Sequence, residues 1–544
     1  MIGSATPKAS LSEMITGGRF LARLPAFLRQ PITLADARTI LRRRLERRET
    51  DFLELARRTI YDRPESPYRQ LLQLAGCEYG DLVRLVTQDG LEGALQALYR
   101  QGVYLTVEEF KGRRPTVRGG VSIDVDPSQC RNPRVTGHVW VQSSGSRGSG
   151  TVTLKALEFL RDQAVNKCLA LDGRGGPWRL AHWDVPGGGL TAVLSSSISG
   201  TAPERWFSPV DPFDPSLHPR YRWSARAMRW GSLLAGRPLP MPCHVPVDDP
   251  LPIVRWMRDV LQAGAMPLLV GYSSPIVRLC RAAREAGLDL PGAQFSLDGE
   301  PLTQARLDAI RQIGADGTPT YATSETGRMA EGCLGLREVD EVHFLSDLHG
   351  LIQPGPHGAG PGLPPAALLI SSLRSSAPFI LLNVSMGDQA IVSERTCGCP
   401  FERLGWTTHL HAIRSYEKLT AAGMTFLDSD VIRVLEEVLP ARFGGAPTDY
   451  QLVEDEAADG SPRLALLVHP QVGPLPPEAV AQTFLAAIAG GSGSERIMGI
   501  VWRDAGLLRV ERRPPVATAT GKILHLHSAS PDRPTPSTPE GPLD

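Results

Sequence analysis

Between residues 251 and 298 the chain alternates between two hydrophobic patterns. The stretches PIVRWMRDVLQAG and SPIVRLCRAAREAGL carry apolar residues at three- and four-residue steps, which is typical of amphipathic helices. The stretches MPLLVGY and AQFSLDGE are short apolar runs, and the second leads into turn residues, as strands do. Because alternating strands and helices fold into α/β sheets, this region predicts an α/β fold with a largely parallel sheet.

The regions before and after this alternation predict the rest of the architecture. The first ~115 residues are mostly helical by pattern. From Val117 onward we interpret short runs as β-strands, among them RVTGHVWVQSS and PGGGLTAVLSSSISG. Past Arg414 a smaller α/β unit is expected, with helices in DSDVIRVLEEVLP and PPEAVAQTFLAAIAG and strands in DYQLVEDEA and RLALLVHP. The Pro- and Ser-rich end, SASPDRPTPSTPEGPLD, is expected to be disordered.

Composition and charge exclude several classes of protein. The 544 residues include 58 Lys plus Arg and 58 Asp plus Glu, so no overall attraction to nucleic acid or to an anionic membrane is expected. No apolar run reaches the ~18 residues that a membrane-spanning helix needs. The first residues lack the pattern of a signal peptide, so we expect a cytoplasmic protein. Its eight cysteines then do not form a disulfide framework.

The segment SSGSRGSGT, residues 143–151, joins a β-rich approach to a helical run. Its glycines let the backbone turn N–H groups inward, and its hydroxyl groups add donors, which suits a polyphosphate. It is not a Walker P-loop, because no Gly-Lys-Ser/Thr follows. A solvated Gly/Ser turn is the alternative. The candidate phosphate-binding residues are Ser143, Ser144, Gly145, Ser146, Arg147, Gly148 and Thr151.

The segment FSLDGEPLT ends a predicted strand in Asp298, Gly299 and Glu300. Ligands of open α/β sheets lie outside the carboxyl ends of the strands, so this turn is a candidate binding position. Taken alone, it also fits a plain surface turn before a helix.

Three more segments carry candidate site residues. In GTPTYATSETG, Tyr321 could stack on a base, while Ser324 and Glu325 could hold phosphate and Mg²⁺, since hard cations prefer carboxylate oxygen. In LNVSMGDQAIV, Asp388 follows Gly at the end of an apolar run and could accept both ribose hydroxyls. In ATATGKILHLH, Lys522 lies in a Thr/Gly loop, where a lysine is usually a surface residue.

In their order along the chain, these five segments resemble those of adenylate-forming enzymes, the acyl- and aryl-CoA synthetase superfamily. The resemblance is strongest to the phenylacetate–CoA ligase-like branch and the related acyl-protein synthetases. SPYRQLL, GVYLTVEEFKGR, LVGYSSPIVRL and CGC also have the character of that branch. The similarity extends from about residue 65 to 527 and depends on five motifs in register, each weak alone.

The resemblance implies roles for individual residues. Residues 143–151 would close over the ATP phosphates, and the DGE and YATSE segments would border the adenine and the acyl pocket, with Glu325 on Mg²⁺. Asp388 would hold the ribose, and Arg414 would contact the nucleotide. Lys522 matches the lysine that stabilises the transition state between acid and ATP, by opposing the charge that builds on the α-phosphate and carboxylate.

The resemblance also implies a domain organisation. Residues 1–118 would form the helical N-terminal part of a large adenylation domain with mixed or parallel sheets. Residues 119–413 would be its ATP- and acid-binding part, and residues 414–528 a small, mobile α+β domain. Residues 529–544 would be a disordered tail.

The chain departs from the family pattern at a few positions. Arg147 and Gly150 stand where Thr and Pro are usual, and Ser324 replaces Thr. Tyr416, with Glu417 beside it, takes the position of the acidic hinge residue about which the small domain rotates between two half-reactions. The residues expected for adenylation are therefore present. The departures bear on the second step, the transfer of the acyl group to CoA.

Four residues form a candidate metal site. Cys333, His343, Cys397 and Cys399 supply three thiolates and one imidazole, a closed set suited to structural zinc. The spacings are not those of zinc fingers, so buried inert thiols are an alternative, as is a cysteine that carries an acyl group. The resemblance supports zinc, since comparable positions in that branch can hold it.

The resulting hypothesis is an AMP-forming acid–thiol ligase that uses ATP and Mg²⁺. A small-molecule carboxylic acid would form an acyl- or aryl-adenylate, and the acyl group would pass to CoA by default. A carrier protein, a protein cysteine or an amine are alternative acceptors. A degenerate nucleotide-binding scaffold is the alternative of a different class, and Arg147 and Tyr416 are the residues that favour it.

Overall fold

The computed structural model describes residues 11–142, 152–214, 219–356, 362–416, 419–421, 424–426, 428–456, 462–489 and 508–528. The Gly/Ser loop of residues 143–151 and the C-terminal residues 529–544 lie outside the described residues. The described chain divides into two compact units. The large unit contains the residues up to 416 together with Thr518–Lys522, and the small unit contains the described residues between 419 and 517 and from 523 onward.

The described part of the large unit contains twelve α-helices, six of them before residue 111, as the helical spacing of the first ~115 residues predicts. Threonine side chains cap the N-termini of several, for example Thr33 and Thr106, each in a capping box. The helices are α1 (Leu11–Leu28), α2 (Leu34–Glu46), α3 (Arg48–Ala56), α4 (Pro67–Leu74), α5 (Tyr79–Arg100), α6 (Val107–Phe110), α7 (Leu157–Arg174), α8 (Pro186–Ile198), α9 (Pro219–Leu234), α10 (Leu251–Gln262), α11 (Ser273–Glu285) and α12 (Gln304–Arg311).

Sixteen strands of the large unit are described, and twelve of them form one sheet. Its order is β13-β14-β15-β16-β12-β11-β10-β9-β8-β5-β6-β7, while β1 pairs with β2 and β3 with β4. The strands are β1 (Thr116–Arg118), β2 (Val121–Ile123), β3 (Val139–Gln142), β4 (Val152–Lys155), β5 (Trp178–Trp183), β6 (Arg205–Ser208), β7 (Pro242–His244), β8 (Met266–Tyr272), β9 (Gln294–Asp298), β10 (Asp316–Thr323), β11 (Gly327–Gly332), β12 (Val342–Phe344), β13 (His349–Ile352), β14 (Ala367–Ser372), β15 (Val384–Glu394) and β16 (Thr408–Ser415).

The sheet has a parallel half and an antiparallel half. The six strands from β7 through β6, β5, β8 and β9 to β10 run parallel. From β10 onward each neighbouring pair is antiparallel. The parallel arrangement predicted from residues 251–298 is confirmed for that region, and the sheet as a whole is mixed.

The winding of the parallel half reverses once. The chain runs from β5 to β6 and β7 in one direction, and then returns to place β8 on the other side of β5. The helices that follow β5 and β8 therefore cover opposite faces of the sheet, which opens a crevice between the carboxyl ends of these two strands.

One predicted element is wrong. PGGGLTAVLSSSISG, which we interpreted as a β run, forms helix α8. Pro186 occupies the first helical turn, where its fixed φ favours the helix. The helix is buried on almost every side, so it shows no polar face. Gly189 brings it against Trp206, where a Cβ would lie 2.6 Å from the indole Cε2, so its glycines serve close packing.

The small unit has its own sheet and its own core. A four-stranded sheet of order β21-β20-β19-β22 packs against helices, with Leu452, Leu466 and Phe484 in the core. The four elements predicted past Arg414 are all present, although DSDVIRVLEEVLP contains a π-helical turn at Val434–Val438. The elements are α13 (Asp428–Arg433), α14 (Leu439–Phe443), α15 (Pro477–Ala489), β17 (Leu419–Ala421), β18 (Met424–Phe426), β19 (Tyr450–Glu456), β20 (Pro462–Val468), β21 (Leu508–Glu511) and β22 (Leu526–Ser528).

The predicted fold class is thus confirmed: an α/β chain with a large mixed sheet and a separate, smaller sheet. Among the helices of the described ranges, none combines the length and apolar character needed to cross a membrane.

Candidate active site at the carboxyl ends of the parallel strands

The crevice between β5 and β8 is lined by a pair of titratable side chains. Asp184 directly follows β5, and Tyr272 is the last residue of β8. The Tyr272 hydroxyl donates a hydrogen bond to Asp184 Oδ1 over 3.1 Å, and the Val185 N–H donates to the same oxygen over 2.7 Å. These residues mark the position where an open α/β sheet binds its ligand.

The DGE turn follows the next strand, β9. Gly299 has a φ of +70°, which favours glycine. A Cβ at this position would lie 2.9 Å from Tyr272 Cδ1 and 2.9 Å from Lys522 Cε. The absence of a side chain at Gly299 therefore gives Lys522 room beside the end of β9.

Lys522 comes to this turn from a point more than 200 residues further along the chain. Its ammonium lies 4.3 Å from the centroid of the Tyr272 ring, within cation–π distance. The Thr518–Lys522 loop is closed by bonds from Gly521 N to Thr518 O (2.8 Å), from Thr518 N to Lys522 O (2.9 Å), and from Lys522 N to Thr518 Oγ1 (3.2 Å). The sequence-predicted Lys522 and the DGE turn are thus brought together.

Two charged residues of this site were missed by sequence reasoning. Burial raises the pKa of Asp184 to about 7, and the nearby charge of Asp298 adds to this, although the bonds from Tyr272 and Val185 oppose it. Burial lowers the pKa of Lys155 to about 8, against the attraction of Glu325, Asp298 and Asp184. The sequence held an indication of both residues. Asp184 directly follows the buried strand run WRLAHW, and Lys155 is the last residue of the strand that leaves the Gly/Ser loop.

Lys155 is buried and faces acidic groups from three elements. Only 8% of the residue is exposed. The centroid of the Phe159 ring lies 5.5 Å from its Nζ. A desolvated cation in this position is available for an anionic ligand.

Glu300, the last residue of the DGE turn, is bonded within the protein. Its carboxylate accepts hydrogen bonds from Ser274 N (2.9 Å) and Ser274 Oγ (2.6 Å) in the first turn of α11. It also lies 3.5 Å from the buried Arg306 guanidinium. Glu300 therefore fixes the turn to the helix N-terminus, while Asp298 and Gly299 remain the members beside Lys522.

The segment after β9 places three predicted residues around the end of β10. Tyr321 lies in β10 and donates a hydrogen bond to Asp388 Oδ2 over 2.8 Å. Ser324 and Glu325 lie in the turn between β10 and β11, and Glu325 is buried. Two residues predicted to bind one nucleotide, Tyr321 and Asp388, are thus in direct contact.

Arg414, predicted to contact the nucleotide, has an acidic partner in the protein. Its Nη1 donates to Asp340 Oδ2 over 2.8 Å, and the other oxygen of Asp340 accepts from Ala412 N. Arg414 lies in β16 opposite Gln389 of β15, one residue from Asp388. Arg414 thus lies close to Asp388, the residue predicted to bind the ribose. Asp340 at least partly neutralises the charge of its guanidinium.

Tyr416, at the predicted hinge, is held by β15. Its N–H donates to Gly387 O over 2.8 Å, and its hydroxyl lies 2.5 Å from Ser385 Oγ. The hydroxyl of Tyr416 therefore anchors the predicted hinge to Ser385 of β15.

The four predicted zinc ligands come together. The ligand atoms of Cys333, His343, Cys397 and Cys399 all lie within 4.8 Å of one another. His343 Nε2 is 3.2 Å from Cys399 Sγ and 3.6 Å from Cys397 Sγ. They come from three places in the chain, the end of β11, strand β12 and the loop between β15 and β16.

The surroundings of this cluster suit a metal. His343 Nδ1 lies 2.6 Å from Trp406 O, which assigns the proton to Nδ1 and leaves Nε2 free to coordinate. Burial lowers the pKa of His343 to about 4, so the imidazole is neutral. Backbone N–H groups donate to Cys333 Sγ from Gly335 and to Cys397 Sγ from Cys399. The donor set and its supporting bonds fit tetrahedral zinc.

Comparison with known proteins gives structural similarities only. No protein-family model matches the chain, and no curated protein is significantly similar to it in sequence. MatB from Rhodopseudomonas palustris, solved with ATP, is 12% identical, with a TM-score of 0.42 over 74% of this chain and 68% of that one. The anthranilate CoA ligase AuaEII, solved with anthranoyl-AMP, is 12% identical, with a TM-score of 0.42 over 76% and 69% of the two chains.

A third similar structure is the o-succinylbenzoate CoA synthetase MenE from Bacillus subtilis, in complex with the acyl-adenylate intermediate OSB-AMP. It is 12% identical, with a TM-score of 0.42 over 72% of this chain and 68% of that one.

Proposed function

We propose that the protein activates a small-molecule carboxylic acid with ATP. A carboxylate oxygen attacks the α-phosphorus, the bond to the β-phosphate breaks, pyrophosphate leaves and an acyl- or aryl-adenylate forms. The observation that carries the proposal is the position of Lys522, whose ammonium lies beside Gly299 and 4.3 Å from the Tyr272 ring at the carboxyl ends of the parallel strands.

The two lysines divide the electrostatic work. Lys522 opposes the negative charge that builds between the carboxylate and the α-phosphate as they approach. Lys155, on the strand that leaves the Gly/Ser loop, offers a second cation for the phosphates. Because it is desolvated, its interaction with a phosphate oxygen is stronger than that of a surface lysine.

The remaining nucleotide contacts follow the sequence motifs. Asp388 accepts the ribose hydroxyls, with Tyr321 holding the carboxylate from the other side. Residues 143–151, which lie outside the described residues, are assigned to the ATP phosphates from their sequence, and Arg414 is assigned to the edge of the nucleotide. Glu325 would be the protein's carboxylate for Mg²⁺, and the ion would offset the negative charge of the phosphates; such sites commonly use one or two carboxylates with substrate phosphates.

The second half-reaction transfers the acyl group to a thiol, with release of AMP, and CoA is the default acceptor. A carrier protein, a protein cysteine or an amine are the other acceptors, and a nucleotide-binding scaffold without chemistry is the alternative function. We further propose that residues 414–528 act as the small domain of a two-step ligase, and that Cys333, His343, Cys397 and Cys399 hold a structural zinc ion.

The test is acid-dependent exchange of pyrophosphate into ATP, measured over a panel of aromatic and fatty acids. We expect exchange with at least one acid, and a loss of 10²-fold or more in Lys522→Ala, the range typical when one preorganised electrostatic group is removed. Arg513→Ala is the matched control, because Arg513 lies in the same C-terminal segment and pairs with Glu511 at the surface. Exchange in this control should be unchanged.

Adding CoA and following AMP and thioester formation identifies the acceptor. An absence of exchange with every acid, together with measurable ATP binding, would reject the enzyme in favour of the scaffold. Exchange that survives in Lys522→Ala would show that the activity does not depend on this lysine.

A further inference from the structure

Helix α9 exposes its large apolar side chains to solvent. Its buried face is formed by small or neutral residues, Ala225, Met228 and Ser232. Trp223, Trp230 and Leu234 lie on the opposite side, with 66%, 67% and 69% of each residue exposed. A single exposed apolar residue is ordinary, but two tryptophans and a leucine on one helix are not.

These three side chains form one stripe. At 100° per residue, positions 223, 230 and 234 fall within about 40° of one another, roughly opposite positions 225, 228 and 232. The stripe is about 16 Å long, from the rise of 1.5 Å per residue. Ile15 and Leu21 of α1, which packs along α9, add exposed apolar surface.

The segment of the chain that contains the stripe carries charge of one sign. Residues 215–247 contain five arginines and no Asp or Glu, although the chain as a whole is neutral. Arg226 is exposed and its guanidinium lies 6.0 Å from the centroid of the Trp223 ring. Neither Arg222 nor Arg226 forms an ion pair with a residue in the described ranges. Two uncompensated cations therefore stand beside the apolar stripe.

We propose that the Trp223–Trp230–Leu234 stripe, with Arg222 and Arg226 beside it, binds to the surface of an anionic phospholipid membrane. Tryptophan is suited to the boundary between acyl chains and headgroups, because its ring is apolar and its N–H is polar. Arginines at the same level attract anionic headgroups. The helix would lie in the plane of the interface, with no membrane-spanning segment.

The stripe favours a lipid surface over a folded protein partner. It is a convex helix face, whereas protein partners that recognise a helix enclose its apolar side in a groove. Its charge complements anionic lipid along its whole length, since no acidic residue interrupts it. Membrane binding by this stripe does not depend on the proposed reaction. It would place the protein at a lipid surface, into which apolar acids partition.

The test is co-flotation of the full-length protein with vesicles of phosphatidylcholine mixed with phosphatidylserine, and with vesicles of phosphatidylcholine alone. We expect binding to the anionic vesicles, weaker binding to the neutral ones, and a loss of binding as salt is raised. Trp223→Ser with Trp230→Ser should abolish binding. Arg222→Gln with Arg226→Gln should weaken it about thirtyfold, from the usual contribution of each cation near an anionic surface.

Leu74→Ser is the matched control, because Leu74 is also a large exposed apolar residue but lies on α4. Its vesicle binding should equal that of the unmodified protein. Thermal unfolding of each variant tests whether the fold is kept. We expect it to be kept, because the substituted residues lie at the surface. Absence of binding to anionic vesicles, or equal binding by the double tryptophan variant, would overturn the proposal. So would a dimer in solution that the tryptophan variant dissociates, since the stripe would then be covered by a second copy.

Discussion

Asp184 lies in an environment that disfavours its charged form. Its carboxyl ends a buried strand, beside the hydroxyl of Tyr272 and near Asp298. Burial raises its pKa from an ordinary 3.8 to about 7, so at neutral pH the site holds this group in both protonation states. The charge of Lys522 acts in the opposite direction, which couples the protonation of Asp184 to the proposed catalytic lysine.

This shift predicts a pH dependence of stability. Between about pH 4 and about pH 7 the folded protein holds a proton on Asp184 that the unfolded chain has released, so the contribution of Asp184 to stability falls as pH rises. Asp184→Asn removes this dependence and keeps an oxygen to accept from Tyr272 and Val185. Across that range the free energy of unfolding of the variant should gain about 4 kcal/mol on that of the unmodified protein, at about 1.4 kcal/mol per pH unit.

Denaturant unfolding at several pH values measures this difference. Asp316→Asn serves as the control, because Asp316 is half exposed and pairs with Arg311 at the surface. Its difference from the unmodified protein should stay nearly constant. If the Asp184→Asn curve runs parallel to that of the unmodified protein from about pH 4 to about pH 7, the carboxyl is not desolvated in this way.

At the scale of elements, the Cys/His cluster shows how strands assemble a site from distant residues. β11 and β12 pair with each other and β12 pairs with β16, so the end of β11, His343 and the loop entering β16 meet at one place. The loop is stabilised by Glu402, whose carboxylate accepts hydrogen bonds from Cys397 N and Gly398 N.

We predict about one zinc ion per chain, lost for the most part in Cys399→Ser. Structural zinc contributes directly to folding, so the variant and the chelator-treated protein should unfold several degrees lower. Metal analysis with thermal unfolding measures both effects. Cys243→Ser is the control, because Cys243 is the exposed cysteine of β7 and should keep the metal. Less than about half an equivalent in the unmodified protein, unchanged in Cys399→Ser, would contradict the zinc site.

Helix α8 shows why one element was predicted incorrectly. Its sequence combines three glycines, three serines and branched residues, which locally favour turns and strands. Tertiary burial decides otherwise, because Gly189 permits contact with Trp206 and the Ser196 and Ser197 hydroxyls bond to carbonyls of the preceding turn. A helix buried on most sides leaves no periodic pattern to detect.

At the scale of the whole molecule, each unit has a core of its own. The large unit is built around three extensive apolar clusters, and the small unit around Leu452, Leu466 and Phe484. Lys522 belongs by its contacts to the large unit, although the chain reaches it only after the small unit. The proposed activity therefore depends on a segment that the core of the large unit does not need.

A chain that ends at Tyr416 should consequently fold and lose its activity. We expect one cooperative unfolding transition and retained zinc, but pyrophosphate exchange reduced to the level of full-length Lys522→Ala. Exchange, metal content and thermal unfolding are measured on both proteins. Normal exchange by the shortened chain would contradict the role of Lys522, and failure of the shortened chain to fold would contradict the independence of the large core.

The sequence alone determined the fold class, the order of the elements between residues 251 and 298, and the chemical nature of the candidate site. These are local properties, since the spacing of apolar residues is set by the helix and strand repeats. The four ligands of the Cys/His cluster were also grouped from the sequence, whereas the contact of Lys522 with the DGE turn appeared only in the structure, because no local rule brings such distant residues together.

Only the tertiary structure decided how the charged side chains are used. Asp184 became a site residue because the winding of the sheet reverses between β5 and β8, and Lys155 because it is buried near Glu325, Asp298 and Asp184. Glu300 and Arg414 are instead paired with Arg306 and Asp340, which the motifs did not indicate. The physical reason is that the electrostatic state of an ionisable group depends on burial and on neighbours distant in sequence, and both are fixed only when the chain has folded.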